Sequence, residues 1–267
     1  MSLHGLVVDT LRLTLWLALL AAILVPVERF LELRPSVRTA RRTLADLGFY
    51  FFNSLIPAFL LGFPVAALAA TAHRLLPAAY FDGLNALPLW VQLVATFVVG
   101  EIGFYWGHRW SHQIPALWHF HALHHRPEQL DWLVNTRAHP VDIVFGRLCG
   151  LAPIYLIGLA GRGAGEGNLP AILFAIGGTI WGFLIHANIR WAPRWLEPIL
   201  STPRFHHWHH VKGGSGPIDR NFASMLPVVD RLFGTLHMPE GKAWPEAYGV
   251  EETVPARPAP KASAVSA

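Results

Sequence analysis

The chain alternates long apolar runs with short polar stretches in which arginine and histidine recur. Residues 6–27 are apolar apart from Asp9, Thr10, Arg12 and Thr14, and about 20 such residues span a bilayer as a helix. The stretch lacks the basic start and small-x-small cleavage site of a signal peptide, so it reads as an uncleaved first span. A second run, 47–72, contains Pro57 and Pro64, which remove helix hydrogen bonds and predict kinks. The run 89–107 leads directly into His108, and 141–160 and 169–187 flank the glycine-rich 161–168, GRGAGEGN. That last pair reads as a helical hairpin. The tail 251–267 has no aromatic residue and is expected to be disordered.

Charge orients these segments. Residues 28–46 carry Arg29, Arg34, Arg38, Arg41 and Arg42, whereas 73–88 carries only Arg74. Arginine-rich short loops stay cytoplasmic. The expectation is five spans, N-terminus outside, and a cytoplasmic 188–250 bearing Arg190, Arg194, Arg204, Lys212, Arg220 and Arg231. The fold class is then all-α, an integral membrane helical bundle with a cytoplasmic histidine-rich cap. It divides into N-terminal spans at 1–94, a catalytic region at 95–240 and a tail at 241–267. Composition agrees: 53% of the 267 residues are hydrophobic and 14% charged, against about 25% charged in soluble domains. The mean hydropathy is +0.37 and the pI about 9.6. The arginines lie beside apolar segments, so this basicity reads as a topology signal and not as a nucleic-acid surface. One cysteine, Cys149, excludes disulfides within the chain and thiolate metal sites.

Histidine is where the chemistry concentrates. His108 and His112 are four apart; His121, His124 and His125 follow; and His206, His209 and His210 repeat the H-x-x-H-H spacing. Residues at i, i+3 and i+4 share a helix face, so each group is expected to point its imidazoles one way. Pro115 should divide the first stretch into two helices. Neutral imidazole is the commonest metal ligand, and eight to ten exceed what one ion takes. Two ions are therefore expected. His139, in NTRAHP, and His186, ending the last span, fall on the same side and join the candidates. His119 and His207 lie off the faces, and His4, His73 and His237 have no such context. Glu101, seven residues before His108, is a candidate for fixing a ligand tautomer, with Asp131, Asp142 and Asp219 ranked below it.

Neither H-E-x-x-H nor Glu-x-x-His accompanies these groups, which argues against zinc-hydrolase and ferritin-like sites. An all-imidazole set suits zinc, copper, nickel or iron. Placed at a membrane surface it suggests oxygen chemistry on a lipid, since unactivated C–H bonds need a redox metal. A metal transporter or sensor without catalysis is the competing class, but a transporter would hold its ligands near the bilayer midplane. Trp106, Trp110, Trp118, Trp132 and Trp181 either line a lipid pocket or form an interfacial belt.

These motifs, together with Arg137–Pro140, His186–Asn188, Asp219–Phe222 and Asp230–Thr235, resemble the fatty acid hydroxylase/sterol desaturase superfamily over about 95–240. The resemblance implies a membrane-bound non-haem di-iron enzyme with a cytoplasmic site, using O2 on a lipid. In purified protein zinc is a possible substitute for the two irons. Hydroxylation is the first expectation, and desaturation by the same site the alternative. His108, His112, His121, His124, His125, His206, His209 and His210 would be the ligands, with His139 and His186 as additional ones. Asn221 would help to shape the site. Ser224-Met225-Leu226 and Val229 depart from the family pattern, which blurs the subfamily more than the chemistry. No His-Pro-Gly-Gly motif is present, so the electrons are expected from a separate ferredoxin or cytochrome b5 type donor.

Overall fold

The computed structural model describes residues 3–160 and 169–250; the expectations for 161–168 and 251–267 lie outside it. The described residues form an all-helical fold. Four helices are long and apolar enough to cross a membrane: α1 (Leu3–Phe30), α2 (Ala40–Leu75), α4 (Leu89–Gln113) and α7 (Leu169–His186). Between them lie α3 (Ala78–Asn85), α5 (Pro115–His125) and α6 (Pro140–Leu156), and the polar end adds α8 (Pro203–His209) and α9 (Pro227–Leu232).

The helix α2 runs unbroken through Pro57 and Pro64 for 36 residues, and prolines are tolerated where neighbouring helices and side chains satisfy the freed carbonyls. At 1.5 Å per residue α2 is about 54 Å long, more than the roughly 30 Å of hydrocarbon in a bilayer, and its first turns are its polar end. Arg42 and Asp46 lie there. The expected span 141–160 is a 17-residue helix, α6, that carries Asp142 and Arg147 and turns at Ile157; it is not among the four.

Small residues let α6 press against α4. A Cβ at Gly103 would overlap the Cys149 carbonyl oxygen, and one at Gly107 would lie 2.6 Å from the Cys149 Cβ. Without a hydrophobic drive inside a bilayer, such close backbone approach is what holds helices together. In the polar half, helices start at proline: Pro115, Pro140, Pro203 and Pro227 each occupy a first turn, where the missing N–H costs nothing. Capping adds to this, with Thr202 accepting from Phe205 N at 3.3 Å.

The arginine loop is built into this half of the molecule. Arg42 donates to Asp131 at 2.6 Å, Arg38 also pairs with Asp131, and Arg137 donates through Nε to Asp46 at 2.9 Å. Asn188 ties the chain after α7 to the chain after α1, accepting from Leu33 N through its carbonyl and donating from Nδ2 to Arg34 O at 2.7 Å. Arg34 reaches the carbonyls of Pro245 and Glu246.

Candidate metal centre

Three helix ends and one short helix deliver the histidines. The C-terminal half of α4 carries His108 and His112; the break at Ile114, forced by Pro115, turns α5 back so that His121, His124 and His125 face them. His186 closes α7, and α8 brings His206, His209 and His210. All nine rings are buried.

They form two groups, and these are not the sequence clusters. His108, His112, His121, His125 and His209 place one nitrogen each within 4.8 Å of one another, and His124, His186, His206 and His210 do the same. Each H-x-x-H-H box is split. The i, i+4 pair His121/His125 joins the first group while His124 joins the second; His206/His210 joins the second while His209 joins the first. Two residues four apart lie about 40° apart around a helix, but the one between them in the box points elsewhere. The groups abut, with the His125 and His210 ring centroids 4.3 Å apart.

Tautomers follow from the outer contacts. Nδ1 of His108 lies 2.6 Å from Phe222 O, that of His209 2.9 Å from Arg220 O, that of His124 3.2 Å from Arg137 O, and that of His186 2.7 Å from Gly182 O. A carbonyl oxygen only accepts, so these nitrogens hold protons. His121 Nδ1 faces both oxygens of Asp142 at 3.0 and 2.9 Å, and His112 Nδ1 faces Asp219 at 3.3 Å. Each Nε2 is thereby left with a lone pair directed inward. His124 and His186 then oppose lone pairs at 3.1 Å, while the Nε2 atoms of His112 and His209 are buried without a partner. A cation in each group would satisfy all of these atoms, so the donor set fits metal. Burial first, and neighbouring imidazoles second, hold the rings neutral: His124 falls to about 4, and His125 and His210 drop well below the usual range. Neutral rings are what a metal requires.

One backbone segment supplies much of this orientation. Asp219 and Asn221 adopt left-handed φ of 59° and 58°, which Asp and Asn tolerate better than most residues. The turn aims the Asp219 carboxylate and the Arg220 and Phe222 carbonyls at three histidines of the first group. Asn221 touches backbone: its Nδ2 donates to Phe205 O and His237 O, each at 2.9 Å, and its Oδ1 accepts from His237 N at 2.7 Å. It shapes the turn without meeting a ring.

Other candidates go elsewhere. His139 lies outside both groups and caps α6, its Nδ1 accepting from Val141 N at 3.2 Å. Glu101 does not orient a ligand histidine: its carboxylate accepts from Met225 N at 2.7 Å, Leu226 N at 3.1 Å and the Ser224 hydroxyl at 2.9 Å. The sequence favours the mid-helix Glu101 over Asp142 and Asp219, and the geometry reverses that order, because acids at the polar ends of apolar runs lie level with the histidines. Asp131 caps the 3-10 turn Trp132–Thr136. His207 is buried between Tyr248 Oη and Ala187 O, and His119 is exposed.

A cavity of about 590 Å³ opens onto both groups, lined by His108 and His121 of the first and His124, His186 and His206 of the second. Its walls are mainly apolar, from Leu13 and Leu20 of α1 to Phe104 of α4 and Phe174 and Phe183 of α7.

Comparison with known proteins agrees with this geometry. The family model described as fatty acid hydroxylase matches residues 93–235. An ornithine lipid hydroxylase of Rhizobium tropici is 38% identical over 57% of this chain and 44% of its own length. An alkylglycerol monooxygenase of Danio rerio is 31% identical over 52% of this chain and 29% of its own. A very-long-chain aldehyde decarbonylase of Oryza sativa subsp. indica is 29% identical over 66% and 64%. The match thus spans less than half the length of the first two relatives. No solved structure matches.

Proposed function

Because this chain belongs to the fatty acid hydroxylase family, we propose that it is a membrane-bound di-iron oxygenase that hydroxylates a lipid. One observation carries the reading: two all-histidine groups, six of whose nine rings have outward protons and inward lone pairs, form the floor of an apolar cavity. In this reading His108, His112, His121, His125 and His209 hold one iron, and His124, His186, His206 and His210 the other. Iron pairs supply the redox chemistry with O2 that side chains lack. The protein keeps Nδ1 protons at Asp142, Asp219 and four carbonyls, and so fixes six of the nine rings. The cavity binds the hydrocarbon and excludes water from the reacting face. Asn221 and Glu101 act as positioning residues, holding the 219–226 segment against α4 and α8.

The cytoplasmic orientation is supported by the arginine loop, whose Arg38 and Arg42 pair with Asp131 beside the histidines, since positive loops stay inside. Five crossings follow if α6, which starts level with the histidines at Pro140, pairs with α7, which returns to them at His186. Electrons come from a separate protein of ferredoxin or cytochrome b5 type.

The test supplies iron-loaded protein with host lipid extract, a reductant and 18O2. A lipid product carrying one 18O is expected. Product with a new double bond and no label would replace hydroxylation by desaturation, and no O2 uptake by iron-loaded protein would remove the oxygenase reading.

A further inference from the structure

A cation that no acid neutralises lines the apolar cavity. Arg147, midway along α6, lies in its wall with Ile143, Gly146, Gly150 and Leu151, and the residue is exposed. Four other arginines are answered by acids: Arg42 and Arg38 by Asp131, Arg137 by Asp46, Arg204 by Glu197 at 2.7 Å. Among the described residues, no hydrogen bond or ion pair reaches Arg147, and no charged neighbour acts on it. Asp142 lines the same cavity, but both its oxygens face His121. Five residues also separate it from Arg147, a turn of about 140° around the helix. A guanidinium stays charged at any working pH, and a charge set in a mainly apolar wall is costly unless it is paired. An anion that arrives with the ligand would supply that pair.

We propose that Arg147 receives the anionic group, a carboxylate or a phosphate, of the lipid that this cavity holds. The inference rests on the cavity being the substrate site. A guanidinium presents parallel N–H donors that match either group in a two-point bond. Arg147 lies about 7.5 Å along the helix from Asp142, the partner of His121. Arg147 and five of the histidines line one cavity, so a lipid whose anion is held at Arg147 extends within the space that the histidines face.

The experiment measures binding to the full chain in uncharged detergent, with radiolabelled palmitate, palmitoyl lysophosphatidate and hexadecanol as probes. Wild-type protein is expected to hold at least one anionic probe ten-fold more tightly than hexadecanol. Arg147→Met should abolish that preference while leaving hexadecanol within two-fold, and Arg147→Lys should restore part of it. Preference for palmitate alone identifies a carboxylate lipid; preference for the phosphate probe identifies a phospholipid. Equal binding of all three probes by wild type, or an unchanged preference in Arg147→Met, overturns the proposal. Bound metal and melting temperature verify the fold, and Arg147→Gln replaces the Met variant under the same criteria if that variant is unstable. Lost 18O incorporation with intact anion preference would count against the oxygenase reading alone, and the reverse result against Arg147 alone.

Discussion

Replacing Asp142 by asparagine separates the two histidine groups. Asp142 offers both carboxylate oxygens to His121 Nδ1, at 3.0 and 2.9 Å, and His121 belongs to the five-histidine group only. Asparagine keeps the shape and one acceptor but loses the charge, and bonds to ionised acceptors are about twice as strong as neutral ones. Removing a carboxylate behind a metal-bound imidazole weakens metal binding by about 10- to 100-fold, which is about 1.4–2.7 kcal/mol. The fold should lose less. Asp142 lies in the first turn of α6, where its charge contributes about 0.3–1 kcal/mol, and the Ser111 hydroxyl meets it only at a long 3.4 Å. The assay titrates loaded protein with a chelator and counts metal per chain. One of two metals should leave at 10- to 100-fold lower chelator, and the other as in wild type. Two metals leaving together, or both held as in wild type, would refute the assignment of Asp142 to one group.

His124→Ala and His209→Ala each remove a ligand from a different group; each should leave about one tightly held metal and abolish turnover, whereas His139→Ala, outside both groups, should keep two. Acid should release metal and loosen the fold. His124 titrates near 4 in the folded apoprotein and near 6.5 when unfolded, so the unfolded chain takes the proton first. Its contribution is complete above about pH 6.5 and is lost towards pH 4 at about 1.4 kcal/mol per pH unit; metal retention that holds steady or rises from pH 7 to 5 would contradict this. Gly103→Ala drives a Cβ into the Cys149 carbonyl and should lower stability by about 1–3 kcal/mol, seen as a lower melting temperature in detergent. Gly62→Ala, with nothing within 4 Å of the new Cβ, serves as the neutral control.

Helix content and the identity of the histidines that gather could be read along the chain because both signals are local. A span is about 20 apolar residues whatever surrounds it, and α1, α2, α4 and α7 are such runs. Histidine at helical spacing is rare enough to mark a site, and nine of the ten candidates converge. Membership in a particular group was not local. His124 and His125 are adjacent, yet they serve different groups, because α5 packs between α4 on one side and the α7–α8 corner on the other.

The partners that orient the rings depended on the tertiary structure most of all. The carbonyls of Arg137, Gly182, Arg220 and Phe222 carry no side-chain signature, since every residue has one. Only the path of the chain, including two left-handed residues at 219 and 221, decides which carbonyl meets which ring. Glu101 and Asp142 show the same limit with side chains: an acid on an apolar helix announces itself by its cost, but whether it faces an imidazole or a loop of backbone N–H groups is set by whatever packs across from it.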